Sequence, residues 1–393
     1  MVVNHVYSGD VGRTSVTTPT SVPRSVYIHV PFCRHHCAYC NFTVIAGRED
    51  LMDRYLDSLA AEMESLERRR TVDTIYIGGG TPTELTPGKL QRLLNLLEHW
   101  FERAQDYEYT VEANPDGFSE NCADMLVDRG INRVSLGIQS FDAGKLLRLD
   151  RRHSVTESFR AIELAQSRFG NLSIDLMFAA PGETLETWHS DLQTAVRLAP
   201  QHLSTYGLTF EKGTLFWNAR DKGRLEEIDE AVQADMYELA IDKLRTAGYE
   251  HYEISNFARP CFRSRHNQAY WTGHGYWGFG PGAARFVDGC RELNHRSTST
   301  YVRRLLTGQS PVEQSETLTP EESARERLVF GLRRLDGISV SEFENATGFN
   351  LQQLAGDAIG KFVTDGYLER DADRIRLSRK GLLISDSLWP ELL

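Results

Sequence analysis

The sequence predicts an α/β chain: six strand–helix units forming an incomplete barrel, then a smaller C-terminal domain of helices and a hairpin. Three observations predict this. Strand and helix patterns alternate from Ser25 to about Asn256. Glycine-led breaks, Gly130-Ile131 and Gly170-Asn171-Leu172, stop helices just before strands. Beyond residue 317 the order becomes helix, helix, helix and two short β-rich runs, as in a winged helix. The first block, about 230 residues, approaches the size of an eight-unit barrel. Only six strands are clear, so a partial, TIM-like (β/α)6 barrel is expected.

In chain order, the expected strands are Ser25–Val30, Thr74–Ile77, Glu108–Glu112, Arg133–Ile138, Ser173–Phe178 and His202–Leu208, most of them rich in β-branched or aromatic residues. Helical periodicity falls at Leu51–Arg70, Lys89–Phe101, Asn121–Arg129, Val155–Phe169, Leu185–Leu198 and Glu227–Ala247. Four regions result: a polar, flexible tail over 1–24, the barrel over 25–256, a Gly- and aromatic-rich stretch with a linker over 257–317, and the winged-helix-like domain over 318–393. That last domain reads as helices Pro320–Leu335, Ser339–Thr347 and Leu351–Asp365, with a hairpin turning at Ala372-Asp373.

Composition narrows the functional classes. The chain has 393 residues, 40% hydrophobic and 25% charged, as in a soluble globular protein. A net charge of -11 disfavours nucleic acid as a partner. No apolar run is long enough to span a bilayer, and residues 1–24 contain no apolar signal core. Cys122, Cys261 and Cys290 are scattered, so a reducing cytoplasm is the expected setting.

Cys33, Cys37 and Cys40 form a Cys-x3-Cys-x2-Cys loop directly after the first strand. Thiolates are soft ligands, and three from one loop can hold three irons of a [4Fe–4S] cube while the fourth iron stays open. A zinc site completed by His35 or His36 is the alternative. Barrel chemistry gathers at the C-terminal ends of strands, and the unusual residues fall there. Gly78-Gly79-Gly80-Thr81 follows strand two, Glu112 ends strand three, Gln139 ends strand four, Asp175 lies on strand five and Tyr206-Gly207 on strand six.

With the Gly-Gly-Gly-Thr-Pro turn, the cysteine loop resembles that of the radical S-adenosylmethionine (SAM) enzymes. The resemblance spans most of Ser25–Arg296. It implies a radical SAM barrel whose open iron takes the amino and carboxylate groups of SAM and cleaves its sulfonium bond to a 5′-deoxyadenosyl radical. It further implies SAM-binding roles for Tyr27, Tyr39, Gly79, Gly80, Thr81, Glu112, Gln139, Arg151, Asp175 and Gly207. The glycines admit close backbone approach. Glu112 or Gln139 would take the ammonium or ribose hydroxyls, Arg151 the carboxylate, Asp175 the ribose and Tyr39 the adenine.

The run Tyr27-Ile-His-Val-Pro-Phe-Cys33 and the winged-helix tail narrow the resemblance to the oxygen-independent coproporphyrinogen III dehydrogenase group. Its dehydrogenases carry a further cysteine two positions after the third ligand and use an N-terminal extension in the substrate site. Here that position is Phe42, and the tail is short. Phenylalanine there, with the signature His266-Asn267-Gln268-Ala269-Tyr270-Trp271, resembles the group's heme-chaperone branch. The resemblance implies three ligands (cluster, SAM and heme), delivery of heme to a respiratory membrane acceptor, contact with the inner membrane face that is only peripheral, and a homodimer as one option. It also implies an absence of dehydrogenase activity, with radical decarboxylation of coproporphyrinogen as the competing reading.

For His266 two readings stand. A neutral imidazole is a common axial ligand of heme iron, with Tyr270, Trp271, Tyr276 and Trp277 enclosing the macrocycle and Arg263, Arg265 and Arg285 pairing with its propionates. Alternatively, His266 caps a loop that the aromatics pack onto the barrel. The expected recognition helix Leu351–Asp365 has Lys361 as its one basic residue, beside Asp357 and Asp365. This argues for a lid or docking module rather than a DNA reader.

Overall fold

The computed structural model describes residues 22–393; residues 1–21, most of the expected flexible tail, lie outside the described part. Six parallel strands form the centre of one sheet: β1 (Ser25–Val30), β2 (Arg70–Gly79), β3 (Phe101–Ala113), β4 (Arg133–Gln139), β5 (Asn171–Phe178) and β6 (His202–Gly207). They pair in chain order, each parallel to the next. Beyond β6 the sheet turns antiparallel through β7 (Glu250–Glu253) and β8 (Asn256–Ala258). On the far side, β9 (Trp277–Phe279) lies parallel to β1. The strand order β9-β1-β2-β3-β4-β5-β6-β8-β7 has two free edges, so the barrel is open, as expected.

The strands alternate, but not as in a filled barrel. Val26, Ile28 and Val30, then Ile75 and Ile77, Val134 and Leu136, Ile174 and Leu176 are all buried in the main apolar cluster. They meet the outer helices, among them α1 (Met52–Met63), whose Tyr55, Leu56 and Leu59 are fully enclosed. The opposite face carries Tyr27, Tyr76, Thr110, Glu112, Arg133, Ser135, Asp175 and Ser204, matched strand to strand by register. Barrel interiors are usually packed with branched apolar residues. Here apolar burial lies between sheet and helices, and the lumen is hydrogen-bonded.

Two parts of the sheet go beyond what their residues suggest. The polar run Glu102–Asp106 carries little β signal, yet β3 already begins at Phe101, because Phe101–Arg103 pairs with Arg70–Val72. Strand β9 arises inside the Gly-rich stretch, so the sheet reaches past residue 256. A Cβ on Gly278 would lie 1.9 Å from the Ala284 carbonyl oxygen, so only glycine fits that crossing.

A three-stranded antiparallel sheet follows: β10 (Ala284–Val287), β11 (Cys290–Asn294) and β12 (Val312–Thr317). The C-terminal domain has helices Pro320–Arg333, Val340–Thr347 and Leu351–Thr364 around a small sheet of Ile338–Ser339, Arg374–Leu377 and Leu368–Arg370. This is the expected winged-helix order. Arg291 joins it to the barrel side by pairing with Glu326 at 2.5 Å, and Arg379 does so through Asp242.

Candidate functional site

The cysteine loop leaves β1 at Pro31 and is pinched at its base, where Phe32–Cys33 pairs with Ile45–Ala46. The glycine turn after β2 lies directly against it. Gly80 donates its N–H to the Val30 carbonyl at 2.8 Å, and Thr81 to the Phe32 carbonyl at 2.7 Å. A Cβ on Gly80 would sit 2.7 Å from the Phe32 oxygen, which is why the turn needs glycine there. Gly79 adopts φ +106, and a Cβ would meet the His29 ring at 2.5 Å.

The three thiols lie beside this turn. Cys33 Sγ is 3.5 Å from Thr81 Oγ1, Arg151 reaches Cys37 Sγ at 3.6 Å, and the Cys40 amide donates to the Cys37 carbonyl at 3.0 Å. Burial pushes the Cys33 thiol up to about 12 and raises that of Cys40. Such thiols ionise readily only when a cationic metal replaces the proton. A cube gives each thiolate its own iron, so its ligands stand apart. Among the described residues no three His, Cys, Asp or Glu side chains converge as they would on one ion. The two histidines considered as a fourth zinc ligand are engaged elsewhere: His35 Nε2 meets Asp150 at 2.7 Å, and His36 Nε2 meets the Cys40 carbonyl at 3.1 Å. The donor set fits a cluster bound by three cysteines.

Around the thiols stand most of the other expected residues. Tyr76 donates its hydroxyl to Glu112 Oε1 at 2.6 Å, and the Gly79 amide donates to Glu112 Oε2 at 3.0 Å. Burial pushes the Glu112 carboxyl up to about 7; the Tyr76 hydrogen bond opposes this and the Asp175 charge adds to it. Arg151 donates to Asn114 Oδ1 at 2.7 Å and to the Gly137 carbonyl at 2.8 Å, while its buried Nε has no partner. That leaves the Nε–H for a ligand carboxylate. Gln139 ends β4 in a left-handed conformation, φ 66, which turns the chain at the rim. Asp175 accepts from Ser135 Oγ at 3.1 Å, and burial raises its carboxyl. A Cβ on Gly207 would come within 3.1 Å of the Phe178 ring. Tyr27 lies deeper, with its hydroxyl 2.9 Å from His29 Nδ1. Tyr39 packs edge-on against Phe216, centroids 6.2 Å apart, while its hydroxyl lies beside Arg151 and the thiols of Cys37 and Cys40.

Asn114 escaped the sequence reading although it stands two residues after Glu112. It links two expected residues, donating to Thr81 Oγ1 at 2.8 Å while accepting from Arg151. Also missed is a buried knot below this rim. Lys145, with no exposed surface, pairs with Glu183 and with Asp191 at 3.0 Å. Asp191 also accepts from Ser140 Oγ and the Phe141 amide, each at 2.7 Å, and Glu183 accepts from the Ala180 amide at 2.9 Å. The loops after β4 and β5 are thereby tied together.

The heme-signature residues occupy a different level. His266 lies in the first turn of the helix Arg265–Trp271 and is 1% exposed. Its Nδ1 is 2.9 Å from Thr74 Oγ1, its Nε2 is 2.8 Å from the Tyr270 hydroxyl, and its ring stacks on Tyr76 at 5.0 Å. Burial lowers its pKa to about 3, so the ring is neutral. Both nitrogens are hydrogen-bonded to side chains of this chain, to Thr74 and to Tyr270. The three arginines are also engaged: Arg263 with Glu250 and Asp336, Arg265 with Asp106, and Arg285 with Glu292. His266→Ala would strand the Thr74 and Tyr270 hydroxyls and open a cavity. The expected cost is about 2–4 kcal/mol, read as a lower urea midpoint.

Fold and thiol geometry together define the class. The Radical SAM superfamily matches residues 27–195, and the HemN C-terminal domain matches residues 318–384. The fold superposes on Escherichia coli coproporphyrinogen III oxidase (HemN), described as a radical SAM enzyme, with a TM-score of 0.83. That match has 23% identity and covers 94% of this chain and 90% of the other. Among curated relatives, the heme chaperone HemW of Lactococcus lactis is 36% identical, covering 94% of this chain and 97% of its own length. HemW of Bacillus subtilis is 34% identical, covering 94% and 99%. The chain belongs to the HemW family of the radical SAM superfamily.

Proposed function

We propose that this protein is a heme chaperone: it binds heme, carries a [4Fe–4S] cluster on Cys33, Cys37 and Cys40, takes SAM at the barrel rim, and passes heme to a respiratory membrane acceptor. The observation that carries the reading is the 36% identity to a heme chaperone along 94% of the chain, with Phe42 at the position where the dehydrogenases keep a cysteine. When bound, the cluster would supply an electron to the sulfonium. The chain's own residues would hold SAM. Gly79, Gly80 and Thr81 would accommodate its amino acid end, Glu112 its ammonium and Arg151 its carboxylate. Asp175 and Gln139 would face the ribose, with Tyr27, Tyr39 and Gly207 shaping the surround. Among the described residues no helix is long and apolar enough to cross a membrane. Delivery from the cytoplasm through peripheral contact, by a monomer or a homodimer, is the arrangement we propose.

An anaerobic assay tests the reading. Reconstituted protein with SAM, a reductant and coproporphyrinogen III is expected to yield no protoporphyrinogen, while heme titrates to saturation and leaves when an apo-cytochrome acceptor is added. Protoporphyrinogen formed over many turnovers would reject it in favour of the dehydrogenase.

The elevated Glu112 carboxyl gives a pH signature. Without ligand, the folded chain holds a proton that the unfolded chain releases between about pH 4.5 and 7, so this group's contribution to stability is lost as pH rises through 7. An ammonium ligand needs the ionised form. SAM affinity is therefore expected to rise about tenfold from pH 6 to pH 8 and to become flat in Glu112→Gln, measured by equilibrium dialysis.

A further inference from the structure

A cleft of about 410 Å³ opens beside the cysteine loop, between that loop, the start of α1, and the helix Thr298–Leu306. It is amphiphilic. Phe42 lines it and is 70% exposed. Arg296 stands at the mouth. It braces the loop by donating to the Asn41 carbonyl and to Thr43 Oγ1, and it has no carboxylate partner among the described residues. Arg48 lies on the same wall, its charge shared with exposed Asp50. Thr298, 3% exposed, is among the lining residues, and its enclosed hydroxyl has no hydrogen-bond partner. The first-turn N–H groups of Thr298 and Ser299 have no acceptor within the helix. His36 faces the cleft, held only by its contact to the Cys40 carbonyl.

We propose that this cleft is where heme docks, resting on the heme-chaperone reading above. A flat apolar body with carboxylates at one edge fits a wall of this composition. Phe42 covers the macrocycle, and Arg296 with the Thr298 hydroxyl and first-turn amides takes a propionate. With its Nε2 on the Cys40 carbonyl, His36 would ligate iron through Nδ1. The enclosed His266 does not take part. Since Cys40 lines the same cleft, heme and cluster would share one loop.

Anaerobic titration of the cluster-loaded protein, followed by the Soret band, tests this with two ligands and four variants. Phe42→Ser, at an exposed position, is expected to weaken heme binding at least about tenfold without changing cluster absorbance. Arg296→Ala should weaken it by about 10–100-fold, the range for losing a charge-assisted hydrogen bond. Heme dimethyl ester, whose carboxylates are blocked, should bind the wild type as weakly as Arg296→Ala binds heme, with little further loss when the two changes are combined. His36→Ala should shift the Soret maximum, and His266→Ala should leave it in place. Ester binding equal to heme binding, or unaltered titration of Phe42→Ser, overturns the site while the chaperone reading survives. A wild type that takes no heme at all overturns both.

Discussion

Replacing Cys33, Cys37 or Cys40 by alanine is expected to abolish the brown absorbance of the reconstituted cluster and its iron and sulfide content, with the far-UV circular dichroism little changed. The three thiols are supplied by a loop pinned at both ends by backbone contacts that do not involve sulfur. Ile45 donates to the Pro31 carbonyl at 2.7 Å, and Thr81 donates to the Phe32 carbonyl. The loop can therefore lose one sulfur and keep its path. The cluster cannot, because two remaining thiolates leave a second iron without a ligand. Cys122→Ala serves as the control, since that thiol lies on helix Glu120–Asp128, away from the loop. Unchanged iron and sulfide in any of the three loop variants would refute the ligand assignment.

Lys145→Met is expected to cost about 3–5 kcal/mol, seen as a large fall in the urea midpoint. The side chain has no exposed surface, and its removal leaves Glu183 and Asp191 buried without their cation. Burial already raises the Glu183 carboxyl despite the lysine's attraction, so loss of the charge would drive Glu183 toward the protonated form. The effect should reach the rim. Asp191 holds Ser140 and the Phe141 amide, next to Gln139. Glu183 holds the Ala180 amide, next to Ala179 at φ 61. SAM affinity is therefore expected to fall in Lys145→Met even after correction for the unfolded fraction. A variant that is less stable but binds SAM normally would confine the knot to a stabilising role.

How much of this was legible depended on the range of the interactions involved. All six central strands were readable because their outer faces are β-branched or otherwise apolar at every second position, as in Val26, Ile28 and Val30. The early start of β3 was not readable, since Glu102–Asp106 has no pattern of its own and becomes strand only through pairing with Arg70–Val72. Strand β9 was hidden for the same reason: three residues among glycines acquire strand geometry from β1. The winged-helix order was plain because each helix carries its own cap, Thr319, Ser339 and Asn350.

The site divides in the same way. Adjacent cysteines and adjacent glycines announced themselves by spacing. Asn114 and Lys145 did not, because each acts through residues that are distant in the chain. His266 shows the opposite hazard. A motif open to two readings, heme ligand or packing unit, holds its histidine where Thr74, Tyr76 and Tyr270 enclose the ring.

By itself the sequence determined the chemistry on offer: three soft ligands in one loop, a backbone turn without side chains beside them, and a barrel to present both on one rim. These follow from residue identity and local periodicity, which act over a few residues. Tertiary structure alone decided which groups remain free to bind anything. It filled both nitrogens of His266, left Arg151 Nε and the Thr298 hydroxyl without partners, and exposed Phe42. Whether a polar atom is spent or available depends on neighbours brought in from hundreds of residues away, and only the packed chain supplies them.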